Sequence, residues 1–435
     1  MKKALFMLLL ILPPAVFSQR PTHIDPIAIK DKMQWFADAK LGIFIHAGIY
    51  SVDGVDESWS FYLRQIKYSD YMKQLKGFTL KKYNPAAWAD LIQESGARYA
   101  VITTKHHDGV AMYDTQMNER SIAKAAPAKR DMIKPFFEEL RKRNIKCGAY
   151  YSLSDWSDTN YPGFLKDSVR YKVSDDYERW ERFRRFFQGQ IREISARFKP
   201  DLWWFDGEFE RSAEEWESQK IRTIVLRDNP KAIINTRLPE WGDYDTPEQN
   251  FPVTRPKNNW WELCMTTNDN WGFHNDDNWK TPHEIISIFA DIVSYGGNLL
   301  LDFGPREDGT IPEPQVNVLK ELGAWNKKHE EAVFNTLAGI PQGHFYGPTT
   351  LSKDSTSLYL FMHGKSGTMM LKGLNNKIQE ITALGNGTKL PHKIVGKVPW
   401  NSIPGVVYID VPPAVSDKYI TVLKIKLDKP ISLHQ

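Results

Sequence analysis

The 435-residue sequence predicts a (β/α)8-type barrel followed by a C-terminal antiparallel β-sandwich. Three observations carry that expectation. Apolar strand-like runs alternate with amphipathic helical segments about seven or eight times over about 300 residues. Polar side chains recur at the ends of those runs, where parallel barrels gather their chemistry. Beyond about Thr336 helical periodicity gives way to short alternating runs separated by turn residues. A doubly wound open sheet competes, but no glycine fingerprint follows the first strand, and the polar strand ends are not confined to two neighbouring loops.

Residues Met1–Ser18 join a basic start at Lys2 and Lys3 to an apolar run from Ala4 to Leu12 and a Val16-x-Ser18 pair suited to cleavage before Gln19. That is the pattern of a secretory signal peptide, too short for a membrane anchor, so a secreted or periplasmic protein without membrane insertion is expected. The expected organisation is 1–18 signal peptide, 19–335 barrel and 336–435 sandwich. Hydrophobic content of 41%, charged content of 25% and a net charge of +4 with both signs interspersed argue against a nucleic-acid partner. The 15 Trp and 18 Tyr suit the apolar faces of sugars as well as a core. Cys147 and Cys264 each lie in an apolar run and are expected as buried free thiols.

In chain order, a helix around Asp31–Ala39 leads to the strand Leu41–Ile45, which closes on His46. A long loop containing Glu57-Ser58-Trp59 and a Tyr-rich tract precedes a helix from Pro85 to Gly96. The strand Arg98–Lys105 ends on His106-His107-Asp108-Gly109, and the helix Met132–Arg143 follows. The strand Lys146–Ser152 ends Tyr150-Tyr151-Ser152, and a long amphipathic helix over about 177–198 leads to Leu202-Trp203-Trp204-Phe205-Asp206-Gly207. Then come a helix over 213–226, a strand Ala232–Thr236 ending at Arg237, a loop holding Thr246-Pro247-Glu248, and a strand Trp260–Met265. The helix Pro282–Tyr295, the strand Asn298–Phe303 and the helix Pro314–His329 complete the series. Sandwich strands are expected at 357–362, 368–371, 378–383, 405–411 and 419–427, with Asn386-Gly387 and Pro412-Pro413 among the turns.

Collected at strand ends are His46, His106, His107, Tyr151, Trp204, Asp206, Arg237, Glu248, Glu262 and Trp271. Two chemistries can use such a set: metal-assisted hydrolysis with His and Asp ligands, or glycoside cleavage by paired carboxylates. Adjacent His106 and His107 point to opposite faces of a regular strand, so both reach one ligand only where the strand is already breaking. The later His274 and His283 do not sit at strand ends, which disfavours the metal reading.

The runs Phe44-Ile45-His46-x-Gly48-x-Tyr50-Ser51, Thr104-Lys105-His106-His107-Asp108-Gly109, Tyr150-Tyr151-Ser152, Trp204-Phe205-Asp206-Gly207 and Trp261-Glu262-x-Cys264-Met265-Thr266, followed by Trp271-Gly272, together resemble the α-L-fucosidases of glycoside hydrolase family 29. The resemblance runs through about residues 30–335. It implies an exo-acting retaining hydrolase releasing terminal α-L-fucose from a fucosylated oligosaccharide or glycoconjugate, with no cofactor and no metal. It implies Asp206 as nucleophile, and His46, His106, His107, Tyr151, Trp204 and Arg237 as groups holding the sugar. Trp59 and Glu262 join that binding set, and Trp271 is expected against the methyl side. Glu248 is the expected acid/base, with Glu262 the competitor; a carboxylate on a loop reaches a leaving group more easily than one inside a strand. Ala47 replaces the usual Trp of a His-Trp-Gly run, and Ser58-Trp59 replaces a Glu-Trp pair. These departures leave a related sugar such as a galactoside as an alternative; a non-catalytic sugar-binding protein on a decayed barrel is the second function class, and the presence of both carboxylates argues against it.

Overall fold

The computed structural model describes residues 26–364 and 366–434. The expected signal peptide lies outside them. Seven parallel strands form one curled sheet: β1 Leu41–Ile45, β2 Tyr99–Lys105, β3 Lys146–Ser152, β4 Leu202–Asp206, β5 Ile233–Ile234, β6 Glu262–Thr266 and β7 Asn298–Phe303, in the order β5-β4-β3-β2-β1-β7-β6. The gap between β5 and β6 is spanned by an irregular segment, residues 244–248, which makes single parallel bridges from Tyr244 to Asn235, Asp245 to Trp261 and Glu248 to Cys264. The eighth barrel position is therefore occupied without a regular strand, and the alternation expected about seven or eight times takes the form of seven strands plus this seam.

Alternation along the strands sorts the side chains into two layers. Leu41, Ile43, Ile45, Trp203 and Phe205 face the surrounding helices, whereas Phe44, Tyr99, Val101, Tyr150, Leu202, Trp204, Cys264 and Leu300 fill the interior. The interior is packed, as a small barrel must be. Gly42 leaves room for Tyr99, whose ring stands 2.3 Å from where a Cβ would lie. The helix Pro26–Ala39 contributes Met33, Phe36 and Ala39 to the interior cluster and so plugs the end of the barrel opposite the strand tips. The expected strand at Ala232–Thr236 shrinks to two residues because the Asn235 side chain takes over the ladder, accepting from the Phe205 N–H and donating to its carbonyl, both at 2.9 Å.

Helices spanning Pro85–Glu94, Ile133–Lys142, Tyr177–Phe198, Ser218–Asp228, Pro282–Ser294 and Glu313–Val333 cover the outside. Asn84, Asp176 and Thr281 cap three of them through side-chain oxygens, the last within a reciprocal box with Glu284. A five-stranded and a three-stranded antiparallel sheet follow, enclosing their own core. Strands at Ser357–Met362 and Ile378–Ala383 match the sequence reading; Leu337–Ala338, Thr349–Leu351 and His392–Val395 are additional. The sandwich packs on the helix Glu313–Val333, where Trp325 donates its indole N–H to the Ile420 carbonyl at 2.9 Å. Cys147 and Cys264 are buried and free.

Candidate active site

Asp206 closes β4 with its side chain on the interior face, 15% exposed. Gly207 then adopts φ +72, a left-handed turn that suits glycine and ends the strand. Three groups converge on the carboxylate: Arg237 Nη1 donates to Oδ1 at 2.9 Å, the Tyr150 hydroxyl donates to Oδ2 at 2.8 Å, and His107 Nε2 stands 3.5 Å from Oδ2. Burial alone would push the carboxyl up; the Arg237 guanidinium, with the Tyr150 hydroxyl and the Gly207 N–H, overcomes it and holds Asp206 below the ordinary carboxylate range.

Arg237 is forked. Its Nη2 donates to Glu248 Oε2 at 2.5 Å, Nε donates to Thr246 at 3.2 Å, and the guanidinium lies 4.5 Å above the Trp204 ring. One cation thus joins Asp206 to Glu248, which sits on the irregular seam with its side chain 40% exposed. A third carboxylate, Glu208, is half-buried close by. Burial and the charge of Asp206 push it up to about 7, and among the described residues its Oε2 has no hydrogen-bond partner.

The three histidines carry different protonation. His46 Nδ1 bonds Asp302 Oδ1 at 2.7 Å; burial opposes its charge, but the Asp302 carboxylate outweighs burial and raises its pKa. His106 is held far below its usual range by burial and by His107 and His46, and its Nδ1 pairs with Ser58 Oγ at 2.6 Å. Burial lowers His107 to about 4. The Ser152 hydroxyl donates to the Ser154 carbonyl at 2.8 Å, so it accepts from His107 Nδ1 at 2.5 Å, and Nε2 of the neutral ring is left as an acceptor. Both histidines reach the site because β2 is irregular between Thr103 and Lys105 and ends there. Lys105 and Asp108 of the same run are turned away: Lys105 lies over the Tyr151 ring, and Asp108 accepts from the Tyr71 hydroxyl and the Val110 N–H.

Aromatic rings form the walls. Trp271 packs against His46 at 5.0 Å, Tyr150 stacks on His106 and Trp204, and Trp59 meets His107 edge-on at 5.6 Å. Glu57 accepts from the Gly272 N–H and so pins the Trp271 segment to the loop carrying Ser58 and Trp59.

The structure thus brings His46, Trp59, His106, His107, Trp204, Asp206, Arg237, Glu248 and Trp271 together, and removes two expected members. Tyr151 faces the helices, with its hydroxyl on Gln190 at 2.8 Å; the strand alternation gives its inward place to Tyr150. Glu262 begins β6 rather than ending it, is fully buried beneath the site, and accepts from the Trp204 indole N–H at 2.9 Å and the Tyr99 hydroxyl at 2.6 Å. It supports Trp204 from below instead of lining the hollow. Ala47 is buried in the larger apolar cluster rather than in the one that fills the barrel interior. Tyr150, Asp302 and Glu208 are not among the residues expected at the site from the sequence, and Ser58 enters there only as a departure from a Glu-Trp pair.

A family model described as alpha-L-fucosidase matches residues 18–331. The tissue alpha-L-fucosidase of Macaca fascicularis is 30% identical over 336 residues, covering 69% of this chain and 68% of that protein. The human tissue alpha-L-fucosidase is 28% identical over 404 residues, covering 85% and 83%. Among solved structures, alpha-L-fucosidase isoenzyme 1 from Paenibacillus thiaminolyticus superposes with a TM-score of 0.83 at 29% identity, over 92% of this chain and 100% of that one.

Proposed function

The chain belongs to the α-L-fucosidase family, and from that premise we propose that it hydrolyses terminal α-L-fucose with retention, Asp206 as nucleophile and Glu248 as acid/base. The observation that carries this reading is the Arg237 fork, which sets an ionised, shielded carboxylate and a more exposed one at the two ends of a single guanidinium.

In the first step Asp206 attacks the anomeric carbon, and Glu248 delivers a proton to the departing glycosidic oxygen. Glu248 must leave its ion pair with Arg237 and take up a proton to do so, a side-chain rotation for which its 40% exposure leaves room. Retention requires the two carboxyl groups to work about 5–5.5 Å apart across the sugar. In the second step Glu248 takes the proton of a water that releases the fucosyl group from Asp206. The imidazolium of His46 donates to a ring hydroxyl, neutral His107 accepts from one, and Trp271 and Trp204 offer apolar faces. We also propose that residues 1–18 direct export, which would bring the enzyme to glycans outside the cytoplasm.

The test is to follow aryl α-L-fucoside hydrolysis by proton NMR and to digest enzyme treated with a 2-fluoro-fucosyl substrate. An α-configured first product and a fucosyl adduct on the peptide containing Asp206 are expected. A β-configured first product, or faster cleavage of the matching galactoside, overturns the reading.

A further inference from the structure

We infer that Phe209, with Trp59 behind it, forms the subsite for the sugar unit that leaves, stacking on the apolar face of the hexose next to the fucose. The inference rests on the proposed activity and deepens it. Phe209 is 60% exposed although it follows Asp206 by only three positions. The turn that holds it is not loose: Glu210 accepts from the Trp156 indole N–H at 2.7 Å and from the Tyr161 hydroxyl at 2.6 Å, and the Glu208 carbonyl accepts from the Trp216 indole N–H at 3.0 Å. A large ring is therefore presented to solvent by backbone fixed on both sides, an arrangement that loses little freedom when a ligand covers it.

Its neighbours connect it to the chemistry. The Phe209 ring lies near-parallel to Trp59, 19° between planes with centroids 6.4 Å apart. Trp59 in turn meets His107, and His107 Nε2 stands 3.5 Å from Asp206. These rings make a continuous apolar path from the nucleophile outward to solvent. His46, Tyr150, Trp204 and Trp271 line the other side of the hollow, so a ring on the outer rim is placed for what extends beyond the fucose. A pyranose presents several C–H bonds on one face, and stacking on an exposed aromatic is the ordinary way to hold it without a dedicated charge.

The experiment compares α-L-fucosyl fluoride, which has no leaving sugar, with a fucosyl-hexose disaccharide. Phe209→Ala is expected to lower kcat/KM for the disaccharide about ten-fold more than for the fluoride, mainly through KM, with Phe209→Tyr restoring it and the melting temperature unmoved. Equal losses on both substrates, or no loss on either, overturn the subsite. Because the fluoride reports the fucosyl pocket alone, failure of the wild-type enzyme to cleave it would instead overturn the proposed activity.

Discussion

The hydroxyl of Tyr150 stands 2.8 Å from Oδ2 of Asp206, one layer below it on the neighbouring strand, where Tyr150 pairs with Trp204 and Ser152 with Asp206. That donor stabilises the ionised carboxylate, and a hydrogen bond to a charged group contributes on the order of 1.5–3 kcal/mol. Tyr150→Phe is therefore expected to lower kcat/KM by about 10–100-fold and to move the acidic limb of its pH profile upward. Tyr151→Phe should cost stability through its lost Gln190 bond while keeping that pH profile. Profiles that shift in Tyr151→Phe and not in Tyr150→Phe would reverse the assignment.

Glu248 and Glu262 make opposite predictions. Glu248→Ala removes a proton donor at the rim and should slow substrates with poor leaving groups by about 10²–10⁴-fold, with azide partly restoring the good ones. Glu262→Ala leaves the Trp204 indole N–H and the Tyr99 hydroxyl without a buried acceptor, so its loss should appear as a lower melting temperature and no azide rescue. Azide rescue in the Glu262 variant alone would exchange the two roles.

What was legible in the sequence followed from alternation and chain order, and what was missed required register. His46 and Asp206 end apolar runs abruptly, so their place at strand tips could be read from the residues themselves. Tyr150 and Tyr151 are adjacent and chemically identical; only the pairing of Ser152 with Asp206 decides which faces inward. Glu262 heads a strand that runs upward to Thr266, beside Asp302, so direction alone puts it at the bottom of the barrel. Asp302 could have been found by the same parity, as the carboxylate two places after Leu300 on an otherwise apolar strand. The seam at 244–248 carries no strand periodicity because its backbone makes single bridges only.

Asp302 is expected to act through charge more than through orientation. Asp302→Asn keeps an acceptor for His46 Nδ1–H but removes the carboxylate that raises the His46 pKa. The folded-state pKa of His46 then falls, because burial is opposed only by the weaker pull of Glu57 and Asp206. At pH 7.5 the variant should lose about ten-fold in kcat/KM relative to the wild type, the worth of about one charge-assisted bond. The ratio should narrow as the pH is lowered towards 5 and the imidazole regains its proton. A ratio independent of pH would show that His46 works as a neutral group.

Glu262 gives a stability test whose sign is fixed by its environment. Burial pushes its carboxyl up to about 7 from 4.5, against the hydrogen bonds of Tyr99 and Trp204. The folded state therefore keeps this proton where the unfolded chain has lost it, and between about pH 4.5 and 7 stability falls as the pH rises. The stability that comes with the protonated acid is fully present below about pH 4.5, and above about pH 7 the penalty is constant, on the order of 3 kcal/mol. Buried histidines such as His107, lowered to about 4, act in the opposite direction over a similar range, so the whole-protein curve is a poor readout. Glu262→Gln isolates the contribution, because the amide stays neutral throughout and fills the same space. Denaturant unfolding at pH 5 and pH 8 should show the variant gaining about 2–3 kcal/mol on the wild type between the two conditions. An identical difference at both would mean that the carboxyl is ionised in the folded protein at pH 5 already, its charge carried by the Tyr99 and Trp204 donors.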